Sequence, residues 1–379
     1  MLRHASSYTV VAGLAIVWAV FEVLNDNYLS PRNLSNLLLQ IAVLGTLAIG
    51  MVFVLVLGEI DLSVGAIAGV SAAVLAIFIT QLSVPAWIAI LVAIAAGAAI
   101  GLLQGLIITG AGIPSFILTL AGLLVWQGVQ LALIGDNGQI PLRDPFIRSI
   151  ASSYAVPAVG WVLAVVAILG FAGSRLLRRR RRLAHGLPTQ GARSEIVTVA
   201  VVAVAVLAVT WVLNSYFGIP WVFVLVLLLL LVGSLVMSST TFGRHIIAIG
   251  GNKEAARRAG INVKGTTIAV FVIISAIAAL AGIIEASRQF SASNSLGGGT
   301  LQLNAIAAAV IGGTSLFGGR GKLYHALLGA LVVGSVQNGL DLLGQPAAIK
   351  NIATGIILVI AVSIDAIGRR RRLARGASD

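Results

Sequence analysis

Residues 219–237 have the sequence IPWVFVLVLLLLLVGSLVM, which contains no charged side chain. A stretch of about 20 apolar residues is long enough to cross the hydrocarbon core of a bilayer as one helix. A segment this apolar is not tolerated on a surface that faces water. The stretch therefore predicts a membrane-spanning helix and places the chain among integral membrane proteins.

The rest of the chain has the same character. Of its 379 residues, only 10% are charged, against about 25% in ordinary soluble domains, so the chain cannot cover a water-facing surface. A window of about 19 residues identifies twelve apolar runs: 8–24, 36–57, 63–80, 86–108, 115–134, 156–173, 196–213, 219–237, 266–286, 301–317, 325–343 and 349–367. We predict an all-α, polytopic transmembrane bundle of about 12 spans, forming a single domain over residues 1–379 in the cell (inner or plasma) membrane.

The basic residues set the orientation of this bundle. With a cytoplasmic N-terminus, 20 of the 25 Lys and Arg residues fall on the cytoplasmic side, in the N-terminus, the loops 175–193, 238–264 and 318–324, and the tail after 367. Cytoplasmic loops of membrane proteins carry such an excess. The distribution predicts that both termini are cytoplasmic. It explains the net charge of +13 better than nucleic-acid binding does, since the charges lie between apolar runs.

Several classes of chemistry have no support in the sequence. The chain has no cysteine, and its four histidines are scattered without ligand spacing, so we predict no metal site. No phosphate-binding loop occurs, because Gly321-Lys322 lacks both the first glycine and the following hydroxyl. We assign no catalytic residue and no cofactor, and we predict a protein that is not an enzyme. Any ATP must be bound by a partner subunit.

Residues 58–65, Gly-Glu-Ile-Asp-Leu-Ser-Val-Gly, place charges between two apolar runs. Charges inside a bilayer are costly and call for a reason. One interpretation is a capped break, in which Asp61, assisted by Ser63, caps the helix that follows. The other is that this break lines a path for solute. The sequence also leaves open whether the segment is a loop or a break within the membrane.

Neutral polar residues inside the apolar runs are the other candidates for contact with solute. Amides bond hydroxyl-rich solutes without burying a charge, but they also hold helices together. We predict that a path along a dimer interface is lined by Asp61, Ser63, Gln104, Asn304, Thr314, Gln337 and Asn338.

Two pairs of segments resemble each other within the chain. Residues 58–65 and 312–319 share the spacing of two glycines and a leucine. Gly112 and Pro114 are matched by Gly344 and Pro346, with Gln104 and Gln337 upstream at nearly the same separation. Transporters are often built from internal repeats, although glycine-rich apolar sequence also produces such similarity by chance.

The segment 250–263 has the signals of a short surface helix between two spans. Asn252 is a suitable N-cap, Glu254 suits the first turn and Gly260 suits the stop. Small residues such as Ala255 and Ala256 allow close approach, which fits docking into another protein. The alternative is an ordinary basic loop that anchors the chain.

These motifs together resemble a known family. The segment 250–263 is similar to the coupling segment of ABC importer permeases, in the form found in ribose, xylose and galactose permeases. Residues 60–65, 312–321 and 336–340 also resemble segments of this family in the same order. Glu59 departs from the pattern, because the family usually has a small residue there. The added apolar pair at about 156–213, around an Arg-rich loop, is most like the xylose permeases.

The resemblance implies a permease that imports a monosaccharide, xylose or a related pentose or hexose. It implies a homodimer, a cytoplasmic ATPase with two nucleotide-binding domains and an extracytoplasmic sugar-binding protein. It also implies a core of about ten spans, and the added pair brings the total to about 12. The residues that it places at the ATPase are Asn252, Glu254, Ala255, Ala256, Arg257 and Gly260. The alternative functions are an ion-coupled secondary carrier of a small polar solute, which the scarcity of buried ionisable residues disfavours, and a membrane enzyme or scaffold.

Overall fold

Helices dominate the computed structural model, which describes residues 5–189, 191–298 and 300–376. In chain order the helices are α1 (Ala5–Leu24), α2 (Pro31–Leu57), α3 (Val64–Thr80), α4 (Ala86–Ala111), α5 (Ser115–Ile134), α6 (Pro145–Ser152), α7 (Pro157–Ala184), α8 (Ala192–Asn214), α9 (Trp221–Ser239), α10 (Thr241–Gly251), α11 (Lys253–Arg258), α12 (Val263–Gln289), α13 (Leu301–Ile311), α14 (Leu323–Leu342) and α15 (Ala347–Gly376). Two short strands, β1 (Gln139–Pro141) and β2 (Ser291–Ser293), pair antiparallel with Ile140 opposite Ala292.

Each of the twelve predicted apolar runs overlaps a helix. In the described residues, eight helices are long and apolar enough to cross a membrane, namely α2, α4, α5, α7, α8, α9, α12 and α14. The apolar parts of α1, α3, α13 and α15 are shorter. An all-α polytopic membrane fold is therefore confirmed, apart from the small sheet, while the count of twelve spans stays a prediction.

The predicted run 301–317 is wrong in its second half. Helix α13 ends at Ile311, and its 11 residues rise about 16 Å, roughly half of a bilayer core. The glycines at 313, 318 and 319 have positive φ angles, which a continuing helix does not allow. The chain from 312 to 322 is therefore a loop.

Helices α2 and α12 form the core of the bundle, and each has 27 residues. Helix α2 begins after Ser30, whose hydroxyl accepts the Asn33 amide hydrogen, and ends at Gly58 with φ 86°. Helix α4 packs antiparallel on α12 through glycines four residues apart. A Cβ on Gly101 would lie 2.3 Å from the Phe271 carbonyl oxygen, so only glycine permits this approach of the two helices.

The long, short, long pattern of α2–α4, with 27, 17 and 26 residues, is repeated in α12–α14, with 27, 11 and 20 residues. The long first helix of each set ends on a left-handed residue, Gly58 or Phe290. The third helix of each set is followed by a left-handed glycine and then a proline, at Gly112 and at Gly344. The sequence similarity between Gly112-Pro114 and Gly344-Pro346 thus joins equivalent helix ends. The similarity between residues 58–65 and 312–319 does not, because the structural counterpart of Gly58 is Phe290 rather than Gly312.

Candidate functional site

Helix α11 is a short exposed helix with the boundaries that its sequence predicts. The Asn252 side-chain oxygen accepts the Ala255 amide hydrogen at 2.9 Å, and Gly260 has φ 81°. Glu254 pairs with Arg257 at 2.9 Å and with Arg258 at 3.1 Å. The hydrogen bond from Arg257, and then that from Arg258, holds the pKa of the Glu254 carboxyl below its ordinary value. The predicted N-cap and glycine stop are confirmed.

The two alanines of α11 face in different directions. Ala255 is exposed, whereas Ala256 is 5% exposed and belongs to the apolar core of this chain. Contact of the two alanines with an ATPase therefore stays a prediction, and only Ala255 has an exposed side chain available for it. An isolated helical segment does not reveal this, because the direction of burial depends on how the segment packs on the helices around it.

Three segments meet beside α11, at what we call the glycine junction: Gly58, Gly250, Gly318 and Gly319. A Cβ on Gly250 would lie 1.8 Å from the Val56 carbonyl oxygen and 2.6 Å from the Gly319 nitrogen. The Gly319 amide donates a hydrogen bond to the Val56 oxygen at 2.8 Å. A Cβ on Gly318 would lie 3.0 Å from the Gly58 Cα. The backbones of α2, α10 and the loop 312–322 are thus in direct contact.

An ion pair joins α11 to the same region. The Lys253 ammonium lies 3.2 Å from the Glu59 carboxylate, and the two side chains are 63% and 16% exposed. Such a partly exposed pair contributes little to stability. It does connect the first residue of α11 to the segment that follows α2.

The segment between α2 and α3 carries a buried polar cluster of Asp61, Ser63 and Gln104. One Asp61 carboxylate oxygen accepts from the Ser63 amide at 2.8 Å and from its hydroxyl at 2.6 Å, while the Gln104 amide donates to that hydroxyl at 2.9 Å. The Asp61 side chain therefore forms a local turn and does not cap α3, contrary to the prediction. The second Asp61 oxygen and the Gln104 oxygen are buried without a hydrogen-bond partner among the described residues.

Two hydroxyls that sequence reasoning missed hold this segment in place. The Ile60 amide donates to Ser115 Oγ at 3.2 Å, and the Leu62 amide donates to Thr119 Oγ1 at 3.1 Å. Both hydroxyls lie on α5, four residues apart and hence on one helix face. Two hydroxyl residues four apart after Pro114 are the sequence feature from which this contact could have been predicted. The segment 58–63 is thus a buried, non-helical break between two apolar helices.

The remaining path candidates lie elsewhere. Asn304 donates at 3.3 Å to Thr300, the residue that precedes its helix, Thr314 is fully buried, and Gln337 is half-buried. Asn338 exchanges hydrogen bonds with Asn33 at 2.7 and 3.0 Å. In the described chain, no hydrogen bond joins these four candidates to the cluster at Asp61. Because all but Gln337 are buried within the protomer, they do not form one surface lining here.

The reciprocal amide pair predicts a specific pattern of stability. Replacing Asn338 with leucine leaves the Asn33 oxygen buried and unpaired, which costs about 1–3 kcal/mol, whereas replacing both amides removes that penalty. We expect the thermal unfolding midpoint of the Asn33→Leu, Asn338→Leu double variant to fall by less than the sum of the single variants. Additive shifts would show that the pair is not coupled.

A family model matches residues 33–362, and its description is "Branched-chain amino acid transport system / permease component". The match therefore includes the break after α2, the glycine junction, α11 and the buried polar cluster.

Named relatives match across nearly the whole chain. The chain is 39% identical to the xylose transport system permease protein XylH of Escherichia coli K12, over 96% of this chain and 92% of that protein. It is 37% identical to XylH of Haemophilus influenzae, over 96% and 97%. It is 33% identical to the ribose import permease protein RbsC of Bacillus subtilis, over 93% and 90%. No solved structure matches the chain.

Proposed function

The chain belongs to the family of branched-chain amino acid transport system permease components, and on this premise we propose that it is the membrane subunit of an ATP-binding-cassette importer that carries a monosaccharide into the cytoplasm. The observation that carries this proposal is the 39% identity to a xylose permease over 96% of the chain. Xylose is therefore the sugar that we propose first, with ribose next. The comparisons give no support to an ion-coupled carrier.

Three partners follow from this function. A separate cytoplasmic ATPase binds ATP, an extracytoplasmic protein delivers the sugar, and a second copy of this chain completes the path. The exposed face of α11, with Asn252, Glu254, Ala255 and Arg257, is the surface that we propose for the ATPase, and Gly260 lets the chain turn away from it.

We propose that the glycine junction transmits the movement of the ATPase into the membrane. The ATPase can change the conformation of the permease only if it contacts two conformations of the permease differently. A movement of the ATPase must then reach the membrane through segments of the permease that are in rigid contact. Gly250 is the second-to-last residue of α10, three residues before α11 begins, and it lies against the last turn of α2 and the loop 312–322. A shift of α11 therefore displaces both of these segments.

The path itself includes the cluster of Asp61, Ser63 and Gln104. Its two unpaired buried oxygens are acceptors that a sugar hydroxyl can satisfy in a state that opens this region. Asn304 and Thr314 also bear unpaired buried oxygens and remain candidates, as does the half-buried Gln337. Asn338 instead holds α2 and α14 together.

The sugar is tested with the soluble partner. We expect the binding protein that stimulates this permease to bind xylose more tightly than ribose in calorimetric titration, and xylose to compete best for uptake. Tight binding of a branched-chain amino acid, with no binding of pentoses, would overturn the proposed substrate class.

We further propose twelve spans with both termini in the cytoplasm. Because the sequence contains no cysteine, a Ser194→Cys variant carries a single thiol near the start of α8. We expect a membrane-impermeant maleimide added outside intact cells to leave this thiol unlabelled, and to label it after the cells are opened. Labelling in intact cells would refute the orientation.

A further inference from the structure

Helices α7 and α8 form a hairpin at the edge of the bundle. They pack mainly on each other, and only 11% of the residues in the apolar part of each helix are buried. Apolar side chains such as Leu169 and Val201 are 65% and 63% exposed. In a membrane, lipid therefore surrounds most of this hairpin.

The end of α7 extends beyond the hydrocarbon layer. The helix has 28 residues and is about 42 Å long, whereas the core of a bilayer is about 30 Å thick. Its last ten residues begin at Arg175 and include the run from Arg178 to Arg182. This part of α7 lies at the depth of lipid headgroups.

A cavity of about 350 Å³ lies between this end of α7 and the start of α8. We call it the arginine cavity. It is lined by Arg175, Arg178, Arg179, Arg181, Arg182 and Glu195, among others. Arginine presents a fork of donors that matches phosphate oxygens, so the lining has the chemistry of an anion site.

The charges in the arginine cavity are not balanced by the protein. Glu195 is paired with Arg175 at 2.6 Å, and Arg178 bonds the Ser174 carbonyl and hydroxyl. The Arg179 Nε atom is buried and has no hydrogen-bond partner in the described chain. Arg181 and Arg182 form no ion pair with any side chain that the structure describes. Cations held this close repel one another, and a bound anion would offset that repulsion.

Exposed leucines flank the run of arginines on both sides. Leu176, Leu177, Leu183 and Leu187 are 49%, 57%, 54% and 50% exposed. A site for free phosphate gains nothing from apolar side chains, whereas a lipid places its phosphate among cations and its chains along leucines. The combination favours a lipid.

We propose that the arginine cavity binds the phosphodiester headgroup of an anionic phospholipid, such as cardiolipin or phosphatidylglycerol. Basic pockets at helix ends on the cytoplasmic side are suited to such headgroups. A soluble phosphate compound offers the cavity the same phosphate oxygens, so a test must compare an anionic lipid with a soluble phosphate.

The test is native mass spectrometry of the full-length permease titrated with cardiolipin, phosphatidylcholine or inorganic pyrophosphate. We expect cardiolipin to bind at least about tenfold more tightly than phosphatidylcholine, and an Arg179→Gln, Arg181→Gln, Arg182→Gln variant to lose about tenfold of that affinity. Replacing Arg370, Arg371 and Arg372 in the tail removes the same charge and is the matched control, with an expected loss clearly smaller than that of the cavity variant.

Equal losses in the two triple variants, or equal binding of phosphatidylcholine, would overturn the proposal. Stronger binding of pyrophosphate than of cardiolipin would also overturn it, in favour of a soluble ligand. If the cavity variant does not fold, the Glu195→Gln variant tests the proposal instead. This substitution removes the acid from the cavity lining and frees Arg175. We expect it to strengthen cardiolipin binding, and unchanged or weaker binding contradicts the proposal.

Discussion

A permease with Gly250→Ala is expected to retain its ATPase and to lose about tenfold of its binding-protein-stimulated ATP hydrolysis, since overpacking a tight contact costs about 1–3 kcal/mol. The new Cβ would lie 1.8 Å from the Val56 oxygen and 2.6 Å from the Gly319 nitrogen. Both are backbone atoms, so no side chain can rotate away. The segments of the glycine junction must separate, and α11 then moves without displacing α2.

Gly251→Ala is the matched control for this substitution. It changes the adjacent residue in the same helix, and its Cβ would meet no atom within 4 Å. Both variants gain the same helix propensity from alanine. Hydrolysis and co-purified ATPase are measured together in reconstituted complexes. Equal hydrolysis by the two variants would rule out the glycine junction as the route of coupling.

A permease with Ala255→Trp is expected to lose its ATPase altogether, so that the co-purified amount falls to background. Ala255 is exposed on α11, and a bulky side chain there holds the ATPase away from the helix without disturbing the permease. Ala256→Trp is expected to reduce the thermal unfolding midpoint of the permease, unlike Ala255→Trp, because Ala256 is buried in this chain.

His185→Trp is the control for the added bulk. His185 is exposed at the end of α7, outside α11. We expect this variant to retain the ATPase. If Ala255→Trp retains it equally well, α11 is not the docking surface. Together, the Gly250 and Ala255 variants distinguish loss of transmission from loss of docking.

Features that depend on nearby residues were predictable from the sequence. Hydropathy over about 20 residues located the helices, because crossing a bilayer requires a long apolar segment. The boundaries of α11 were predictable because Asn252 and Gly260 act within one turn of the helix that they bound.

Features that depend on distant residues were not predictable. Asn338 is paired with Asn33, 305 residues away in sequence, and only the packing of α14 on α2 brings the two together. The glycine junction likewise joins glycines from separate segments, each of which is unremarkable in a glycine-rich membrane protein. Strand β1 has three residues, too few to give a pattern, and it forms only because β2 lies beside it.

This chain moves a sugar with energy from a separate ATPase, and xylose uptake into proteoliposomes measures that dependence. One set of proteoliposomes contains the permease alone, and the other contains the permease with its ATPase and binding protein. We predict uptake only in the complete system with ATP, and none by the permease alone under a proton or sodium gradient. Gradient-driven uptake by the permease alone would show that no ATPase is needed and that the chain is an ion-coupled carrier.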